Sequence, residues 1–420
     1  MKRLLTIALL AVAAAGSGST SAQTLGSKTP YTAPTDASAE PPPGYVPYFI
    51  NHVGRHGARH VTSLKELAAL DHELADDSAY LSADGRRLQK MVHNLWEVET
   101  RYTPGSLSQT GLDEQNGLGR RMALRFPAEA GACVSVTTTK EERTTQSAES
   151  FLKGLGSGDS LPCLVRNGID SIHLRFFSLA PAYIAFEKKG PHKDLPLDTA
   201  TTDAILHRMF TGRYPDAAKF CAALYSAASI TAGLTTETAG RDVDIFSLLK
   251  PGEAESLAIT DGVKDFLVKG PGTNAEGIQV RVAAPLLVDF IHTAEERLTQ
   301  NKPGASLRFA HAETIAPIAA LMDLEGASKA DTDLAHYTDV WRADRVMVYS
   351  GNIQWIFFRK PGAGDLVEIL FNERPVHIPV PTTTFPFYRW QDVRPYYLDK
   401  LRRLGVDPAQ DMYAYLLGLR

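Results

Sequence analysis

The amino-acid sequence predicts an α/β fold, a sheet sandwiched between helices with a mainly helical region inserted into it. Three observations predict this. Short apolar runs of strand character occur toward both ends of the chain, and each leads through a polar stretch into a helical pattern. The middle, from Leu164 to about Leu298, is mainly helical in periodicity and punctuated by Gly and Pro. A strand–turn–strand signal follows, with apolar runs at Ile353 to Phe358 and Leu366 to Phe371 around Pro361-Gly362-Ala363-Gly364. Strands and helices in this order argue for a sheet covered by helices.

The elements read in chain order as follows. Lys2 and Arg3 precede an apolar run from Leu4 to Ala15 and a small-residue segment to Ala22. This is the pattern of a signal peptide (1–22), expected to be cut after Ala22, and it predicts a periplasmic or secreted protein. Residues 23–44, ending in Pro41-Pro42-Pro43-Gly44, read as a tether or a surface arm. Tyr45 to Ile50 suits a buried strand and runs into the polar, Gly-containing stretch Asn51 to Arg59. Helical patterns follow at Ser63 to Leu74, Asp84 to Thr100 and Asp113 to Phe126. Cys133 to Thr137 reads as a strand and Ser147 to Leu152 as a helix, broken by Gly154 to Asp159. In the middle, Ala204 to Phe210, Ala217 to Ala227 and Ala283 to Leu298 are helix candidates. Ser306 to Ala310 reads as a further strand, and Ile315 to Leu324 as an apolar helix. The expected partition is an α/β core from 45–163 and 300–420, with 164–299 as an inserted helical cap.

Composition bounds the function. With 44% hydrophobic and 22% charged residues the chain reads as globular, and no internal stretch is apolar enough to span a bilayer. The formal net charge is -4, and loss of Lys2 and Arg3 with the leader would make it -6. Nucleic-acid binding is therefore not expected. A polyanionic ligand would need a local positive field in a cleft. The three cysteines, Cys133, Cys163 and Cys221, permit at most one internal disulfide, and the sequence does not say which pair forms it.

Three clusters carry candidate chemistry, each where a strand gives way to a helix or loop, the place where sites collect in open α/β sheets. The first is Arg55-His56-Gly57-Ala58-Arg59. Two guanidiniums flank one imidazole; their forked donors match phosphate oxygens and stay charged at any working pH. His52, His56 and His60 are spaced four apart and on a helix could bind a metal. Gly54 and Gly57 argue against a helix, and Arg55 and Arg59 would repel a cation. The second cluster runs from Thr137 through Arg143 to Ala148, with Arg143 near a helix start, a position that favours anions. The third is His311-Ala312-Glu313-Thr314. Taken singly, each has a bland reading: a basic turn, a solvated helix end, a capping Glu. Together they supply a nucleophile, fixed positive donors and a separate acid.

In this order the three segments resemble the histidine acid phosphatases, the branch of the histidine phosphatase superfamily that includes phytases. His-Ala-Glu at 311–313, where most acid phosphatases of the branch carry His-Asp, is the pattern of the multiple inositol polyphosphate phosphatases. Gln109-Thr110-Gly111 and Phe371-Asn372-Glu373-Arg374-Pro375-Val376 also look like family segments, so the resemblance covers about Tyr45 to Leu398. The chain departs from the pattern at His60-Val61-Thr62, where members often carry Pro-Thr in a loop bordering the pocket.

The resemblance implies a phosphomonoesterase acting on inositol polyphosphates such as phytate, with no cofactor and no metal. His56 would attack phosphorus and form a phosphohistidine. Arg55, Arg59, Arg143 and His311 would hold the phosphoryl oxygens. Glu313 would protonate the departing inositol oxygen. His56 must be unprotonated and Glu313 protonated. The neighbouring guanidiniums lower the pKa of His56, and bound phosphate would raise that of Glu313. Thr62, Lys65, Lys140 and Arg308 are further candidates for contact with so charged a substrate. Three other readings stay open: a broad acid phosphatase on sugar or other small phosphomonoesters, a non-catalytic phospholigand-binding protein, and a metal-dependent hydrolase.

Overall fold

A computed structural model describes residues 25–35, 39–126, 132–156, 163–193 and 198–420. The expected leader, 1–22, lies outside the described residues. Eight strands form one mixed sheet. They are β1 (Val46–Arg55), β2 (Cys133–Thr138), β3 (Leu164–Ile169), β4 (Gly304–Ala310), β5 (Asn352–Arg359), β6 (Leu366–Phe371), β7 (Arg374–Pro375) and β8 (Phe387–Arg389). Their order is β3-β2-β4-β1-β5-β6-β7, with β8 pairing β6. The first four neighbours run parallel; β5 turns antiparallel to β1, and the expected hairpin β5–β6 follows.

Both faces of the sheet are covered, as its apolar strands require. On one face Ile50, Val134, Val136, Leu307 and Phe309 pack with Leu118, Met122, Phe151 and Leu152. These last come from the Gln109–Ala123 and Glu142–Leu155 helices. On the other, Phe49, Val53 and Trp355 pack with residues of the Ala284–Thr299, Ala312–Leu321 and Trp390–Arg403 helices. A separate core joins Leu67, Leu70 and Leu88 to Leu206, Phe220, Leu224 and Ile245. It is built from the Lys65–Asp76 and Ala83–Glu99 helices together with Thr199–Met209 and Ala217–Ile230.

Five expectations change. β1 does not stop at Ile50 but continues through the polar stretch to Arg55, because a central strand has both neighbours to satisfy its backbone. The Asp113 to Phe126 helix starts earlier, at Gln109, with Ser108 as its N-cap. Leu164–Ile169, grouped with the helical insert, is an edge strand paired with β2. The helical core draws on the first hundred residues as well as on the insert, a pairing that no local pattern reveals. The arm also differs from a surface tether: Leu25 and Thr29 are buried. Lys28 Nζ donates to Ser229 Oγ at 2.9 Å, and Tyr349 N donates to Thr29 O at 2.9 Å. Residues 25–31 thus strap the helical core to the sheet.

Cys133 and Cys163 form a disulfide and Cys221 is buried and free. The bond ties the starts of β2 and β3, where Val134 N donates to Cys163 O. It closes a loop with a sequence separation of 30. Cys163→Ser is expected to lower stability by about 3 kcal/mol, measured by denaturant unfolding with and without reductant.

Candidate active site

Parallel β2, β4 and β1 are neighbours, so their C-terminal ends lie side by side. Arg55 at the end of β1 is in register with Ala310 at the end of β4, and Thr137 of β2 with Arg308. The chain leaves these three ends as Arg55–His56, Thr139–Arg143 and Ala310–Glu313. The three sequence clusters therefore meet at one sheet edge. Two of them open helices, Glu142–Leu155 and Ala312–Leu321, whose N-termini add positive potential.

His56 is buried, and its backbone N donates to Ala310 O at 3.0 Å. Its Nδ1 lies 2.9 Å from Gly57 O. A carbonyl can only accept, so Nδ1 carries the proton and Nε2 keeps its lone pair. Burial first, then Arg55, Arg59, Arg143 and His311, hold its pKa well below 6.5. The imidazole is thus neutral into the acid range.

His311 sits 5.7 Å from His56, ring centre to ring centre, in an edge-on arrangement. Its Nδ1 is 3.3 Å from Arg143 Nη2 and its Nε2 is 3.0 Å from Thr139 Oγ1. A guanidinium has no acceptor, so Nδ1 accepts from Arg143 and Nε2 donates to Thr139. Burial and then Arg143 bring its pKa down to about 3. In this state His311 orients Arg143.

Arg55 stacks its guanidinium 4.6 Å over the Tyr349 ring and donates to Ser27 O and Met347 O. Arg59 donates to His60 O at 2.8 Å. Arg143 also pairs with Glu141 at 3.2 Å, and Glu141 in turn takes Arg175 at 2.8 Å. The buried Nε–H groups of Arg55, Arg59 and Arg143 have no hydrogen-bond partner among the described residues. Buried donors of this kind are costly unless something accepts from them.

Glu313 lies in the same hollow with 34% of its side chain exposed, and its Oε1 is 3.0 Å from Lys269 Nζ. Burial pushes its carboxyl up, but Lys269, His311 and a backbone N–H pull it below the usual carboxylate range. Without ligand it is a carboxylate.

Glu114 fixes the first motif from behind, accepting from Ala58 N at 2.9 Å, Tyr31 N at 2.8 Å and Ser350 Oγ at 2.8 Å. Gly57 and Gly111 meet backbone to backbone: a Cβ on Gly57 would stand 2.7 Å from Gly111 Cα.

Of the further contacts expected, Thr62 is exposed and, like the Arg143 guanidinium, lies near Gly105. A cavity of about 120 Å³ lined by Lys28, Arg59, Thr62, Glu66 and Ser226 opens there. Lys65 is exposed in the first turn of its helix, and Lys140 in the turn after β2. Arg308 is buried within β4 and spends its donors on Asp289 at 2.7 Å, Asn51 at 2.6 Å and Thr293 at 2.9 Å. Inside a strand, it ties β4 to β1 and to the Ala284–Thr299 helix. His52 is packed between Phe151 and Phe309 rather than beside His60. Among the described residues no group of three His, Cys, Asp or Glu could hold a metal ion. Sequence reasoning missed Lys269, Arg175, Thr139, Glu114 and Tyr349. Thr139 lay inside the second motif; the others reach the site from segments that carry no local signal.

No family model matches the chain, and no curated protein sequence does. Solved structures do match. The multiple inositol polyphosphate phosphatase of Bifidobacterium longum, in complex with inositol hexasulfate, aligns with a TM-score of 0.77 at 21% identity, covering 89% of this chain and 97% of that one. The phytase from D. castellii aligns at 0.69 and 13% identity, covering 94% and 90%. The phytase of Klebsiella sp ASR1 aligns at 0.56 and 11% identity, covering 88% and 99%. The chain has the fold of these phosphatases.

Gly57→Ala is expected to destabilise the protein by about 1–3 kcal/mol, because backbone on both sides must give way. Circular dichroism melts of the variant against the parent check this.

Proposed function

We propose that this protein is a phosphomonoesterase that hydrolyses inositol polyphosphates, phytate among them, through a phosphohistidine on His56. One observation carries the reading: a neutral imidazole with a free Nε2 lies among three arginines whose buried Nε–H groups have no acceptor among the described residues. A tetrahedral oxyanion is the ligand such a hollow accepts. The fold shared with the Bifidobacterium longum phosphatase and the phytases supports the substrate class, as does Glu at position 313.

In the proposed mechanism Nε2 of His56 attacks phosphorus in line with the inositol oxygen. Arg55, Arg59 and Arg143 take charge from the phosphoryl oxygens as it builds. His311 keeps Arg143 aimed through Nδ1, and Thr139 fixes the tautomer that allows it. The leaving alkoxide is a strong base, so Glu313 must give it a proton; the resulting carboxylate then takes a proton from the water that attacks the phosphohistidine and releases phosphate. Export through the leader fits the Cys133–Cys163 disulfide, which favours an oxidising compartment.

The test is a phytate time course with chelator present. Inorganic phosphate should appear, and His56→Ala should slow its release by at least about 10³-fold. No release from phytate or from simple phosphomonoesters would overturn the reading in favour of a phospholigand-binding protein. Because the pKa of His56 is depressed, its active neutral form persists as pH falls through 6.5. Activity should therefore hold below that pH and fall on the alkaline side as Glu313 loses its proton. A pH–rate profile that climbs steadily into alkali would contradict this.

A further inference from the structure

Lys269 is the first residue past the Glu253–Val268 helix, and its ammonium is largely buried between two carboxylates. Nζ lies 2.9 Å from Asp265 Oδ1 and 3.0 Å from Glu313 Oε1. Burial opposes its charge, but Asp265 and Glu313 hold its pKa above the usual lysine value. The ammonium is therefore permanent, and its position creates a conflict. Glu313 can act as an acid only with a proton, and Lys269 keeps the proton off.

We propose that Lys269 is a substrate-sensing residue that locks Glu313 as a carboxylate in the free protein and releases it to a substrate carrying a second phosphate beside the scissile one. The inference rests on the function proposed above. A phosphate carries up to two charges where the carboxylate carries one, so an incoming dianion competes well for the ammonium. Asp265 makes the exchange easy, since Lys269 keeps one carboxylate partner while it changes the other. Once Lys269 turns to phosphate, burial acts on Glu313 unopposed by its main cation and favours the protonated form. Solvent supplies that proton. As the ester P–O bond breaks and the phosphoryl group moves to His56 Nε2, the proton passes to the leaving oxygen. Attack of water on phosphohistidine returns a proton to Glu313.

The charged and titratable groups facing this trio come from several elements. Asp261 and Asp265 lie on the helix that Lys269 ends, and Tyr183 on Pro181–Lys189. Arg55 and Arg143 approach from β1 and the Glu142–Leu155 helix, and His311 precedes Glu313. Lys269 itself touches Glu313 directly. The competing role, an ordinary cation closing a helix C-terminus, would leave the acid's titration unchanged.

The experiment compares pH profiles of kcat, which reports the ionisations of the substrate complex, for phytate and for glycerol 2-phosphate, a lone phosphate with an alkoxide leaving group. In the parent protein the alkaline limb for phytate should lie at higher pH than that for glycerol 2-phosphate. In Lys269→Met the glycerol 2-phosphate limb should move up by about one pH unit or more, a rate gain of about tenfold above the old limb. The KM for phytate should rise as well. Lys269→Arg should keep the two limbs apart. Asp265→Asn provides a second variant if Lys269→Met does not fold: with Asp265 neutralised, Lys269 binds Glu313 harder and the limb should move down. Coincident limbs in the parent, or equal losses on both substrates with limbs unmoved in the variants, would overturn the proposal. Absence of phosphate release from the parent would instead overturn the function on which it rests.

Discussion

The structure is organised around a repulsion. Arg55, Arg59 and Arg143 are gathered about one neutral imidazole, each with a buried donor that none of the described residues satisfies. Like charges in a hollow of low polarity oppose one another, and here burial depresses the pKa of His56 and His311 as well. The fold maintains this arrangement because three neighbouring parallel strands end together and the sheet leaves no freedom to their last residues. An anion would relieve what the scaffold imposes.

Acidic groups are placed to hold that cluster without filling it. Glu114 binds backbone and hydroxyl donors behind the first motif, and Glu141 spans Arg143 and Arg175. Glu313 is paired with Lys269. The positive field is local to the cleft of a chain whose overall charge is negative. The strap at 25–31 connects this region to the helical core: Ser27 O takes a donor of Arg55, and Lys28 reaches Ser226 and Ser229. Orientation of the first motif is thereby tied to how the two cores sit together.

Much of the site could be read in advance, for a physical reason. Each motif occupies a short stretch at a strand end, where local sequence dictates both the turn and the exposed side chains. The strands flanking the motifs were legible from their apolar runs, and so was the hairpin after them. The partners of Arg308 could not be read in advance: Asp289 pairs with its charge and Asn51 and Thr293 accept its remaining donors, from two other elements. Lys269 was invisible because a lysine followed by Gly-Pro-Gly is how many helices end.

By itself the sequence determined the α/β class, the three motif segments, the types of group that could meet there and an upper limit of one internal disulfide. Those features depend on short-range periodicity and on side-chain chemistry. Tertiary structure alone decided the pairing of Cys133 with Cys163, the assembly of the helical core from segments over a hundred residues apart, and the burial of the strap. It also decided the charge state of Glu313, since a carboxyl's proton affinity depends on which cation packing brings to it, and Lys269 arrives from a helix 44 positions earlier in the chain.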